Sequence, residues 1–263
     1  MSEADAGRTH HFVTLLDQWV LSFSRHWLAW VNLAVGVWVL LPWVAPVLMQ
    51  MGATGPAQLL YAFYGLQCHQ LPQRSYFLFG TRFMIPLNDI LAAWPAADPL
   101  LLRPFVGNGQ LGWKVAWSDR MVSLYTPLLV GGLLYGLTGK RWKPLPIRGW
   151  LLFGVPLLVD GGSHFINDAF GLGVRDTNSW LGALTGHVMG PTFFTGDFLG
   201  SFNWWLRLLS GALAGFATVW LVYPHLGRAF RITQSTCIEN QANHPSPADA
   251  GRQPGWLHHH AKS

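Results

Sequence analysis

The chain has 263 residues, 51% of them hydrophobic and 11% charged, and it carries 15 tryptophans. Soluble domains hold roughly 25% charged residues, so the composition excludes an ordinary soluble domain and indicates an integral membrane protein with tryptophan rings at the membrane–water boundary. The net charge of +5 is scattered or confined to short loops. With no basic stripe and no interleaved aromatics, nucleic acid is excluded as a partner. Two cysteines exclude a disulfide scaffold and the paired CxxC type of zinc site.

Residues 1–10 are polar and lack the basic start, short apolar core and small-residue cleavage site of a signal peptide, so no cleavage is expected. From His11 to Trp27, the residues Phe12, Leu15, Leu16, Trp19, Val20 and Phe23 recur at helical spacing opposite Asp17 and Ser24. This pattern predicts an interfacial helix leading into the membrane. Trp27 to Met49 is the first span, interrupted only by Asn32, and Pro42 and Pro46 should kink its distal half. Leu59 to Gln67 is too short to cross and reads as a re-entrant or interfacial helix. It leads into Gln67-Cys68-His69-Gln70-Leu71-Pro72-Gln73-Arg74-Ser75, a polar stretch set in apolar surroundings, whose groups need partners from elsewhere in the chain.

A loop rich in Pro and Gly follows from Thr81 to Gly112. Met121 to Thr138 is the second span, with Asp119 and Arg120 at its mouth and Pro127 inside it. A basic turn follows, with Lys140, Arg141, Lys143 and Arg148. The third span, Gly149 to Asn167, is polar in its second half, where Asp160, Gly161, Gly162, Ser163 and His164 occur. Next come Asp168, the run Arg175-Asp176-Thr177-Asn178, and a short amphipathic helix to about His187 that Asp176 or Thr177 would cap. Asp197 reads as a loop acid. Phe202 to Tyr223 is the fourth span, with Arg207 near its start. After Arg228 and Arg231 the tail is polar, rich in Pro and Asn, and reads as disordered. His258-His259-His260 reads as a tag remnant or solvated tail in preference to a metal site.

The predicted fold class is therefore all-α: an integral membrane bundle of about four transmembrane helices plus interfacial or re-entrant helices. Its predicted parts are a tail and interfacial helix (1–26), a membrane domain (27–226) and a disordered cytoplasmic tail (227–263). The turn between spans two and three carries basic residues and no acid, so it belongs in the cytoplasm. Both termini then lie in the cytoplasm as well, near Arg8 and Arg25 and near Arg228 and Arg231. The expected location is the cell membrane, with the lipid bilayer as partner and room for a membrane-protein partner or a second copy of the chain. Cys68 and Cys237 fall on opposite sides and cannot pair.

On this topology Cys68, His69, Gln70, Arg74, Ser75, Asp119, Arg120, Asp160, His164, Arg175, Asp176 and Asn178 share the outer side. One common polar site accounts for them better than four unrelated defects. Asp160, His164 and Asp168 are spaced i, i+4, i+8 and lie on one helical face. Ionisable residues at membrane depth point to function, and the alternative is that Asp160 pairs with Arg120 or Arg74 and locks the bundle. Cys68 has three readings: a nucleophile with His164 as its base, a metal ligand, or a hydrogen-bonded structural thiol. Arg175 and Asp176 read first as the cap and charge neighbours of the short helix, and second as members of the site. The P-loop, the HExxH pattern and the Gly-x-Ser-x-Gly elbow are missing, and no inverted repeat is evident.

Four motifs in order carry a resemblance. They are Cys68-His69-Gln70-Leu71-Pro72-Gln73-Arg74-Ser75, Lys114 to Arg120 entering a span, Asp160-Gly161, and Arg175 to Asn178 with Leu184-Thr185-Gly186. Over roughly residues 60–225 the chain resembles an uncharacterised family of polytopic membrane proteins, the domain of unknown function 2085 family. The resemblance implies a multi-spanning membrane protein and brings no established activity. Many members carry cysteines in the second motif, which beside Cys68 and His69 would form a metal or redox site; here Ser118 and Met121 stand at those places. Cys68, His69, Met121 and His164 would be a soft ligand set suited to copper. Two readings result. One is a membrane protein whose outward site binds a small solute, anion or metal, as a transport or accessory subunit. The other is a membrane enzyme using Cys68 or the Asp160–His164 pair.

Overall fold

The computed structural model describes residues 15–94 and 102–243. It is all-α apart from one small sheet. The helices are α1 (15–25), α2 (Trp27–Gln50), α3 (Thr54–Gly65), α4 (Leu87–Ala93), α5 (Asp119–Leu137), α6 (Ile147–Phe170), α7 (Val174–Thr177), α8 (Ser179–Thr185), α9 (Pro191–Phe194) and α10 (Phe202–Asn243). Four of them, α2, α5, α6 and α10, are long and apolar enough to cross a membrane. Pro42 and Pro46 sit inside one continuous α2.

The chain divides into two units, Met1–Val31 with Pro224–Ser263, and Asn32–Tyr223. In the first, Phe23 and Trp27 pack on Phe230 with ring centroids 5.9 and 5.4 Å apart, and Gln234 Nε2 donates to the Ser24 carbonyl at 2.6 Å. For residues 227–243 these contacts correct the expectation of a disordered tail, because α10 runs on to Asn243, and residues 244–263 lie outside the described residues. The stretch is polar in composition, yet Phe230, Gln234 and Cys237 pack from one side of the helix. Residues 1–14 and His258 to His260 lie outside the described residues.

In the second unit, α5 and α10 meet through small residues. A Cβ at Gly215 would lie 3.0 Å from Pro127 Cβ and collide with the Leu124 carbonyl oxygen, and one at Gly211 would collide with Ser123 Oγ. Gly211 and Gly215 form a GxxxG pair that lets two backbones approach closely. Ser123 Oγ accordingly reaches the Arg207 carbonyl at 2.8 Å.

The sheet was not legible in the sequence. β1 (Ser75–Leu78) and β2 (Gly107–Asn108) both pair antiparallel with β3 (Gly112–Ser118), in the order β1-β3-β2. The residues of β3 are buried on both faces except Trp113, which is half-buried, so the alternation that marks a half-exposed strand is missing. Its core holds Tyr64, Tyr76, Val115 and Trp117. Gln70 ties this layer to α3, donating to the Tyr61 and Ala116 carbonyls at 2.9 and 2.8 Å. Lys114, fully buried on β3, donates to the Gln70 and Arg103 carbonyls at 2.9 and 2.7 Å. Burial brings its amine down to about 7, with the Cys68 sulfur opposing and the Arg103 charge reinforcing the fall.

One cap differs from expectation. Asp176 and Thr177 belong to the separate turn α7, and the residue preceding α8 is Asn178, at φ 42°. Gly173, at φ 66°, starts that extra turn and displaces the cap.

Candidate functional site

Four arginines and four aspartates from separate parts of the chain meet at one end of the bundle. Arg74 ends the 3-10 turn Pro72–Arg74, so its side chain leaves the β1 layer toward α6. Asp119 and Arg120 open α5, and Asp160, His164 and Asp168 lie along α6 at the predicted i, i+4, i+8 spacing. Arg175 comes from α7, Asp197 from the loop after α9, and Arg207 from the second turn of α10.

The ion pairs are short and interlocked. Arg74 Nε donates to Asp197 at 2.8 Å and its Nη1 to Asp168 at 2.9 Å. Arg207 Nε donates to Asp119 at 2.6 Å and its Nη1 to the other Asp197 oxygen at 2.7 Å. Asp160 accepts from Arg120 at 2.7 Å and from Arg175 at 2.8 Å. Most of these side chains are nearly excluded from solvent, Arg207 and Asp119 at 2% exposure each, while Asp168 is 44% exposed. Burial opposes the charge of Asp197, yet Arg207 and Arg74 hold its carboxyl well below the usual carboxylate range. Around this core, Asn167 Oδ1 accepts from the Arg175 backbone N–H, and Asn203 Nδ2 donates to the Arg175 carbonyl.

His164 sits inside the network with a guanidinium on each side, its Nδ1 3.4 Å from Arg74 Nη2 and its Nε2 3.1 Å from Arg175 Nη2. A neutral imidazole has one lone pair to offer, so one of the two contacts is the accepted hydrogen bond and the other is not. The ring links the Arg74 half of the network to the Asp160 half.

The predicted residues sort into three groups, with His69 apart from all of them. Arg74, Asp119, Arg120, Asp160, His164 and Arg175 share the network, with Asp160 bonded to Arg120 as anticipated, while Arg74 takes Asp168 and Asp197. Asp176 and Asn178 border it: Asp176 is exposed, 3.5 Å from Asn167 Nδ2, and the buried Asn178 donates to the Phe194 carbonyl. Cys68, Gln70 and Ser75 belong to the β-sheet layer. The Cys68 thiol donates to Ser118 Oγ at 3.5 Å, and its sulfur accepts the Gln70 and Ser118 backbone N–H groups at 3.4 Å each. Ser75 Oγ donates to the Leu71 carbonyl. His69 is exposed, and its Nδ1 accepts from the Leu71 N–H. Among the described residues no three His, Cys, Asp or Glu side chains are grouped to hold a metal ion.

Asp197 is a loop acid as expected, but a buried one that joins the site, since it is the carboxylate shared by Arg74 and Arg207. Arg207 was also missed as a site residue, although an arginine inside an apolar span is a signal in itself. Nothing local in the sequence marks Asp197, Asn167 or Asn203.

Against the network lies a cleft of about 570 Å3, lined by Leu71, Gln73, Arg74, Pro86, Leu87, Asn88, Asp168, Asp176, Thr195, Gly196, Asp197 and Phe198. The basic turn lies further along α10, beside Trp220, whose Nε1 donates to the Lys143 carbonyl while the Leu145 N–H donates to the Trp220 carbonyl. From Arg207 to Trp220 the helix rises roughly 20 Å.

Fold and site together give the class: an α-helical protein with four helices long and apolar enough to cross a membrane, and a network of buried Arg–Asp pairs gathered at one end of them. Over 135 residues the chain is 29% identical to "Uncharacterized protein MJ1492" of Methanocaldococcus jannaschii, a match covering 51% of this chain and 62% of that protein. No family model matches the chain, and no solved structure matches it.

Proposed function

We propose that the chain is a multi-pass protein of the cell membrane, with both termini in the cytoplasm, that presents an outward cleft to a small polar solute as a transport or accessory subunit. The observation that carries this reading is the cleft itself, which adjoins the Arg–Asp network at the end of the bundle opposite Lys140, Arg141 and Lys143. Basic short loops stay in the cytoplasm, so the cleft faces out. The network sets the cleft wall: Arg74, Asp168 and Asp197 hold one another, and a solute meets a surface fixed before it arrives. The Cys68 to Ser75 motif supports placing the chain in the domain of unknown function 2085 family. In this reading the motif positions Arg74, and the buried Cys68 fastens β3 behind it. Reporter fusions after Lys143 and after Arg231 should both report cytoplasm, and one after Asn108 should report the outside. A fusion at Lys143 that reports the outside would overturn the orientation and with it the outward site.

A further inference from the structure

We infer that the groove beside the basic turn seats an anionic phospholipid, its acyl chain on three aromatic rings and its phosphate against Lys143; this rests on the membrane-spanning part of the reading above. Trp142, Lys143, Phe216 and Trp220 line a groove of about 410 Å3. Phe216 and Trp220 remain 38% and 43% exposed, and aromatic rings at the end of an apolar span meet lipid at the headgroup level. The walls are fixed before anything binds. Trp142 meets Tyr135 of α5 edge to face at 5.7 Å, and the Trp220 ring lies 6.5 Å from that of Phe153 of α6. The hydrogen bond from Trp220 Nε1 to the Lys143 carbonyl, at 2.9 Å, holds the lysine's backbone to the same ring. Phe216 stands one turn before Trp220, about 6 Å nearer the middle of the span, so the groove runs from the basic turn toward hydrocarbon.

Charge selects the headgroup. Lys140, Arg141, Lys143 and Arg148 follow one another closely, and no acid occurs from Met121 to Val159 or from Leu208 to Tyr223, the stretches of α5, α6 and α10 that build the groove. Arg141, Lys143 and Arg148 are exposed, and none of the three forms an ion pair among the described residues. α6 also starts here with no side-chain cap, so its positive end adds to the same field. Basic pockets between spanning helices favour anionic headgroups. A free phosphate would meet the cations and leave Phe216 uncovered, and a zwitterionic lipid would bring an ammonium up to them.

The test is calorimetric titration of the purified full chain in an uncharged detergent with dioctanoyl phosphatidylglycerol, dioctanoyl phosphatidylcholine and inorganic phosphate. Saturable binding of the phosphatidylglycerol is expected, with the phosphatidylcholine weaker by about tenfold or more and phosphate at equal concentration displacing neither. Lys143→Gln should weaken the phosphatidylglycerol about fivefold and the phosphatidylcholine less, and Phe216→Ala should weaken both about fivefold. Arg82→Gln, which removes one positive charge from a surface pair with Asp89, should change neither. Equal binding of the two lipids, displacement of the phosphatidylglycerol by phosphate, no binding at all, or a Lys143→Gln or Phe216→Ala variant that binds as the parent does would overturn the assignment. Each of these outcomes leaves the topology and the outward cleft standing, because the reporter fusions read them separately.

Discussion

Replacing Asp197 by alanine should destabilise the protein far more than replacing Asp168, although both acids bond Arg74. Asp197 is 12% exposed and accepts from two guanidiniums whose own exposures are 9% and 2%. Removing one member of a buried pair costs about 3–5 kcal/mol, because a charge is left stranded. Arg207 keeps Asp119 and Arg74 keeps Asp168, so the low end, about 3 kcal/mol, applies. Asp168 is 44% exposed, and exposed pairs contribute about 0–1 kcal/mol. For a chain of this size the first figure corresponds to a midpoint lowered by roughly 6–12 °C, and the second to at most about 4 °C. Thermal unfolding in detergent, followed by tryptophan fluorescence, reads both. The sign with pH is also fixed. Because the Asp197 carboxyl is depressed in the folded state, its contribution is full above the ordinary carboxylate pKa of about 3.9 and fades as pH falls through the lower folded value. The difference from Asp197→Ala should therefore be the same at pH 8 and pH 5. Equal midpoints for the two variants at pH 7 would refute the reasoning, and Asp197 would then be a solvated loop acid.

Three further outcomes are expected. Gly215→Val should cost about 1–3 kcal/mol by forcing α5 and α10 apart at Leu124 and Pro127, seen as a lower unfolding midpoint; an unchanged midpoint would mean that the helices part freely there. Lys114 titrates near 7 in the fold against about 10.4 when unfolded, so the unfolded chain binds the extra proton between those values. Stability should rise across that window by up to about 1.4 kcal/mol per pH unit, and Lys114→Met should remove that slope; a variant that keeps it would assign the slope to another group. Cys68 should resist maleimide in the folded protein and react once unfolded, because its sulfur is buried against Ser118 and two backbone N–H groups. Rapid labelling of the native chain would restore the thiol-chemistry reading.

The spans were legible because a run of apolar residues leaves few alternatives, and the α6 stripe was legible because Asp160, His164 and Asp168 repeat at helical spacing. Arg74, Arg120 and Arg175 could be assembled with them by one argument, that charges near hydrocarbon need internal partners. The same argument was silent on which partners. Asp197 lies in a loop whose composition resembles any other, and only the return of the chain after α9 brings it between Arg74 and Arg207. The sheet escaped for a different reason. Trp113 to Trp117 is buried on nearly all sides, with Lys114 turned inward onto two carbonyls, so neither period 2 nor a polar face survives in the sequence. Cys68 drew attention as a reactive group, while its environment is that of a packed thiol behind the site. Arg228 and Arg231 were read as the start of a loose tail, yet Phe230 between them packs on Trp27.

The outward cleft is tested most directly by labelling intact cells with a membrane-impermeant maleimide, comparing Asn88→Cys at the cleft with Lys143→Cys in the basic turn, and using the parent chain as the blank. The account predicts that Asn88→Cys is labelled in intact cells and that Lys143→Cys is labelled only after the cells are opened. Labelling of Lys143→Cys in intact cells, with Asn88→Cys protected until lysis, would contradict it.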